Sequence, residues 1–179
     1  MPDQTFRKNI PEIDPTEIED DRSVISEEHR SFLDKVKNQS GLADLYDARD
    51  LTEVVFRVLR DLMTTEAADR VEGELHKPAE ITEEKALQLE IADLWHDTNP
   101  IVGFLSRVRP PWQGPGIFKI DSDRFLFRVA NEGGLPPNVD RERLVKAVFS
   151  ATKDELSPER IQEIASWLPD YVRQLWEQA

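Results

Sequence analysis

The chain has 179 residues, of which 39% are hydrophobic and 33% charged, with a formal net charge of −13. That length permits a substantial core in one domain or two small lobes, and the acidic balance disfavours phosphate backbones and anionic membrane surfaces as partners. There is no cysteine, so disulfides, thiolate metal sites and cysteine nucleophiles are excluded; no apolar run has the length of a membrane span or a secretory signal, and a cytoplasmic protein is expected.

Residues 1–24 read as a disordered acidic tail, with Pro2, Pro11 and Pro15 among acidic residues and few apolar anchors. A first helical half is expected over 25–109. Its first helix is predicted to start near Ser26, with Glu27 and Glu28 at the positive end of the dipole. Phe32, Leu33 and Val36 form its apolar stripe, and Gly41 ends it. Asp47 is the predicted cap of a second helix, in which Leu51, Val54, Val55, Val58, Leu59 and Leu62 share one face. The period near 3.6 favours helix over strand despite the valines. Thr64 or Thr65 caps a third helix carrying Ala68, Val71 and Leu75. After Pro78, Thr82 is the predicted cap of a helix over Glu83 to Asp97, with Leu87, Ile91, Leu94 and Trp95 inward. Asn99-Pro100 starts a short apolar helix through Val108, stopped by Pro110-Pro111.

Residues 110–118 form a Pro/Gly/Trp linker containing Trp112. Trp112 either plugs a gap between the halves or is exposed for a partner; plugging is the favoured reading. A second helical half is expected over 119–179. Phe125, Leu126 and Val129 form a stripe ended by Gly133-Gly134, and Asp140 caps the next helix. Ser157-Pro158-Glu159 is a cap, a proline and a first-turn acid, and Leu168-Pro169 leads into Tyr171, Val172, Leu175 and Trp176.

The second half repeats the first. Residues 125–168, moved back 93 positions, fall on 32–75 without a gap, and thirteen of the forty-four positions are identical. Among them are Phe32/Phe125, Leu33/Leu126, Val36/Val129, Gly41/Gly134, Leu51/Leu144, Phe56/Phe149 and Asp61/Asp154. Such self-similarity points to duplication of one helical unit. The copies diverge after Leu75 and Leu168. The first half reaches Leu94-Trp95 only after an insertion around His76 to Leu87, and long insertions at loops sometimes carry the specific function. Each half is too small to bury its apolar faces well alone, so mutual burial in one shared interior is expected.

This pattern resembles a bacterial family, the domain of unknown function 2267. The resemblance rests on Phe32-Leu33…Val36, Gly41-Leu42 and the Leu51…Val55-Phe56 helix with its second-half match. It rests also on Asp154-Glu155-Leu156-Ser157-Pro158-Glu159 and on Leu168-Pro169…Leu175-Trp176. It implies an acidic helical domain with a duplicated half, and it carries over no active residues.

The residues themselves favour no chemistry strongly. A carboxylate-bridged metal site in a helical bundle wants two Glu-x-x-His pairs and two further glutamates. The histidines here are His29, His76 and His96, and only Asp93-Leu94-Trp95-His96 has the spacing. Asp93 and His96 are therefore the weak candidates for a metal or ligand site, and the competing reading of His96 is an imidazole at a helix C-terminus. No Gly-x-Ser-x-Gly elbow or phosphate-binding glycine loop occurs. The sequence thus reads as an all-α, duplicated bundle of about nine helices. The leading function is a non-enzymatic protein–protein interaction or adaptor module without a cofactor, whose acidic surface suits a basic partner surface. The alternative is a ligand- or metal-binding bundle enzyme with a site near Asp93 and His96.

Overall fold

The computed structural model describes residues 30–96 and 120–179. The expected tail, the apolar helix after Asn99-Pro100 and the Trp112 linker lie outside those residues. Among the described residues there are eight α-helices and no strand: α1 (Phe32–Ser40), α2 (Leu45–Asp61), α3 (Thr65–Glu72), α4 (Ile91–His96), α5 (Ser122–Gly133), α6 (Arg141–Lys153), α7 (Pro158–Trp167) and α8 (Asp170–Gln178). The all-α expectation holds at that level, with one short 3-10 turn at Lys85–Leu87.

Local chemistry explains most boundaries. Ser31, not Ser26, is the residue before the Phe32 stripe, and its hydroxyl accepts from the Asp34 N–H. Asp44, not Asp47, caps α2: its carboxylate accepts the Asp47 N–H at 2.9 Å, one turn earlier than the repeat suggested. The second half cannot start that early. Pro136-Pro137 stand where the first half has Ala43-Asp44, which removes the capping carboxylate, and Asp140 caps α6 as expected. Thr64 and Ser157, 93 positions apart, cap α3 and α7. Gly41 and Gly134, also 93 apart, end α1 and α5 in the left-handed region, at φ 77° and 56°, where L-residues with a side chain are strained.

One expected helix is corrected. Residues 83–90 are not α-helical, holding only the 3-10 turn at Lys85–Leu87, and Ile91–His96 alone forms α4. Thr82 does not cap a helix; its hydroxyl accepts from the Glu84 N–H two residues on, which closes a local turn. The chain then folds back on itself as a strap over residues 77–90, with an isolated antiparallel bridge between Pro78 and Glu90. The Ile91 and Ala92 N–H groups are bound to Lys77 O and Leu75 O, both at 2.9 Å. Those long-range acceptors hold the start of α4 at Ile91.

Packing is crosswise. The first helix of each half lies on the second helix of the other: α1 against α6, and α5 against α2. Among the described residues the last helix of each half packs on the second, α4 on α2 and α8 on α6. One cluster of buried side chains runs through both halves, from Phe32, Leu33 and Val36 to Val172, Leu175 and Trp176. At its centre are two aromatic triads. Phe32–Phe56 and Phe56–Trp95 have ring centroids 6.1 and 5.1 Å apart. Phe125–Phe149 and Phe149–Trp176 are at 6.3 and 5.0 Å. In both, tryptophan meets the middle phenylalanine edge-on, the favoured geometry for aromatic pairs.

Candidate interaction surface

The contact between the halves carries ion pairs in a reciprocal pattern. Lys35 on α1 pairs with Asp154, and Arg128 on α5 pairs with Asp61 at 2.8 Å. Lys35 and Arg128 are 93 positions apart, as are Asp61 and Asp154. Each half therefore offers the same cation position to the same acid position of the other, which is the reciprocity of an isologous contact. Arg70 on α3 and Glu163 on α7 are also 93 apart, and they meet each other, with Nε to Oε1 at 3.0 Å. Positions on the axis of such a contact must meet their own counterparts. Here the counterparts carry opposite charges, and the Arg70 guanidinium holds the Glu163 carboxyl below its usual range. Lys77 and Glu155 add a further pair across the halves at 2.9 Å.

The strap has no counterpart in the second half. Ala79 and Leu87 bury its underside. Its backbone joins α1 through the Leu33 N–H on Ala79 O, at 3.1 Å, and closes on itself through the Ala79 N–H on Leu89 O, at 2.9 Å. Arg49 on α2 donates Nη1 to Ala86 O at 3.0 Å, and the Tyr46 hydroxyl bonds Glu84. Glu80 is a buried carboxylate, 8% exposed, that accepts from the Ser31 hydroxyl and from the Ile81 N–H at 3.0 Å. Burial pushes its carboxyl up, opposed by the Ser31 bond. The next residue, Ile81, is 86% exposed. Neither residue was singled out in the sequence; the one signal was the insertion in which they stand.

Asp93 and His96 lie one turn apart on α4 and are both exposed. Asp93 accepts the Glu90 N–H at 2.9 Å, so it serves the start of the helix. His96 Nδ1 lies 3.1 Å from a carboxylate oxygen of Glu72. Among the described residues no group of three or more histidine, aspartate or glutamate side chains is arranged to hold a metal ion. Trp112 lies outside the described residues. Trp95 and Trp176 are buried core residues, 1% exposed each.

An open groove of about 480 Å³ is lined by Asp140, Glu142, Arg143 and Lys146 of the α6 N-terminal region, with Gln39 and Gln178. Its charged side chains already have partners. Asp140 caps α6, Glu142 accepts from the Tyr171 hydroxyl at 2.9 Å, Arg143 Nε donates to Gln39 O at 2.7 Å, and Lys146 reaches Gln178 at 3.4 Å. The groove holds two acids and two bases side by side, so it presents no single sign of charge. No helix among the described residues is long and apolar enough to cross a membrane.

A search of curated proteins finds no match. The family described as an uncharacterized conserved protein, DUF2267, matches residues 29–175, which spans the first aromatic triad, the crosswise helices and the strap. The chain belongs to the DUF2267 family.

Proposed function

We propose that the protein is a non-catalytic interaction module built from two copies of one helical unit, and that it engages a protein partner through its acidic surface. The duplication is supported by the recurrence, at one offset of 93, of aromatic cores, helix-ending glycines, capping hydroxyls and the reciprocal ion pairs. A single unit that paired with its own copy would need just such a self-complementary surface.

The observation that carries the interaction reading is the division of labour among side chains. The apolar stripes of both units face one interior, and Lys35–Asp154, Arg128–Asp61, Arg70–Glu163 and Lys77–Glu155 tie the halves together. Apolar surface is still presented outward at Ile81 and Phe127, 86% and 60% exposed, on a chain of net charge −13. Such a surface favours a partner with a basic face. The test is to capture the partner by in-cell crosslinking, purify it, and titrate it into the full chain and into a chain lacking residues 1–24. A stoichiometric, salt-sensitive complex with both chains supports binding through the helical body. Loss with the shorter chain moves the interaction to the tail, and failure to form any defined complex overturns the reading.

A further inference from the structure

We propose that the tip of the strap is a docking site for a basic, amphipathic segment of a partner protein, with Ile81 as apolar anchor and Glu83 and Glu84 as acidic rim. The proposal rests on the interaction reading above and gives it a location.

The second half serves as an internal control. There the chain passes from Leu168-Pro169 straight into α8, and the Tyr171 and Val172 N–H groups bond the Ser122 hydroxyl, at 3.1 and 3.3 Å, at the start of α5. The aromatic triad and the crosswise packing form there without a strap. A strap is therefore not needed to close this kind of helical unit. In the first half it is nonetheless anchored on two helices, through Leu33 on α1 and through Tyr46 and Arg49 on α2.

Its most costly feature sits beside its most exposed one. Burying a carboxylate opposes folding unless hydrogen bonds compensate. Glu80 is compensated by the Ser31 hydroxyl and by the Ile81 N–H. The second of these bonds pins the backbone of Ile81, whose side chain then stands in solvent. A tip held rigid before binding loses little conformational freedom on binding. Single exposed apolar residues are common and carry nothing alone. Here the isoleucine is followed within three positions by the exposed Glu83 and Glu84, and Glu84 accepts from the hydroxyl of the half-exposed Tyr46. An exposed apolar residue with two carboxylates in the same loop, one lysine beside them at Lys85, and a net charge of −13 on the chain complements a segment that flanks an apolar residue with lysine or arginine. The same carboxylates repel a nucleic acid.

The test uses the full chain, isotopically labelled, titrated with a short Lys/Leu amphipathic peptide at about 0.15 M salt, where long-range attraction is screened. Expected are saturable amide shifts over residues 79–86 and at Tyr46. Ile81→Ser should weaken binding about tenfold, and Gln174→Ser, at an exposed position of α8, should leave it within about twofold. Circular dichroism of both variants checks that the fold is retained. Saturable binding on another face, indifferent to Ile81→Ser, overturns the strap as the site and leaves the interaction module standing. Absence of saturable binding also overturns the strap proposal, while the crosslinked-partner titration decides the broader reading separately.

Discussion

Two tryptophans at matched places in the two halves are held by different polar chemistry. Trp95 Nε1 donates to Ala68 O at 3.0 Å. Trp176 Nε1 is buried without a partner. Lys153 instead places its ammonium 5.8 Å from the Trp176 ring centre and donates to Trp176 O at 3.0 Å. Replacing each tryptophan with phenylalanine removes similar apolar area, but only Trp95→Phe also removes a hydrogen bond, while Trp176→Phe removes a buried N–H that has no acceptor. Trp95→Phe should therefore cost about 1 kcal/mol more than Trp176→Phe. Urea unfolding of the two variants checks this, and equal losses would contradict it. At another matched place, Leu59 faces the interior in the first half and Thr152 in the second, both fully buried. The Thr152 hydroxyl donates to Val148 O at 2.6 Å within its own helix, so the polar replacement leaves no unmet donor.

His76 adds a pH dependence of known sign. Its Nδ1 lies 2.8 Å from Glu90, and that hydrogen bond holds the imidazole above its ordinary value. A histidine raised on folding contributes stability that is complete below the unfolded value, about 6.5, and is lost as pH rises through the folded value. An NMR titration of His76 should show a midpoint above that of a free imidazole, and Glu90→Gln should bring it down. An unchanged midpoint in the variant would refute the pairing.

At the scale of elements, boundaries set by local chemistry were legible and boundaries set by distant contacts were not. Ser157-Pro158-Glu159, Asp140 and Gly134 act on backbone groups within a few residues, and the sequence placed all three correctly. The identical pair Asp47/Asp140 points to Asp47 as the cap, and α2 is capped by Asp44 instead. The first half has a cap available one turn earlier, and the second has prolines there. Residues 83–90 of the strap read as helix because Leu87, Ile91, Leu94 and Trp95 keep a helical period. Their environment is set by Leu75, Lys77 and Leu33, which a local pattern cannot register. The left-handed glycines give a direct check on the shared design of α1 and α5. Gly41→Ala and Gly134→Ala should each destabilise by about 1–2 kcal/mol from backbone strain. The two costs should be similar, because a Cβ at Gly41 would meet the Arg143 guanidinium at an ordinary contact distance of 3.5 Å and at Gly134 the space is open. Chemical denaturation of both variants measures the costs, and a stabilising Gly41→Ala would contradict the assigned conformation.

For the whole molecule, the repeat of 93 positions foretold much of the core. Phe32 and Phe125 occupy matched helical environments, each 6.1–6.3 Å from the phenylalanine 24 positions on. What the repeat could not supply was which helix packs on which. Identical stripes are equally consistent with two self-contained lobes and with crosswise halves. The conserved charge of Lys35/Arg128 and the identity of Asp61/Asp154 were visible, but only the fold brings them together as reciprocal pairs. The opposite charges at Arg70 and Glu163 become intelligible only in the fold, as counterparts that meet. The candidate pair Asp93 and His96 was legible as a spacing on one helix; what the spacing could not convey is that each already has an acid or amide partner close by.

The central claim is that the two halves share one interior and fold as a unit. Differential scanning calorimetry of the full chain, with and without Phe125→Ala, tests it most directly. A single transition is expected, with equal calorimetric and van't Hoff enthalpies. The variant, which empties a fully buried site in the second half, should shift that whole transition downward by an amount corresponding to about 3–5 kcal/mol. Two resolved transitions, of which Phe125→Ala lowers only one, would contradict it.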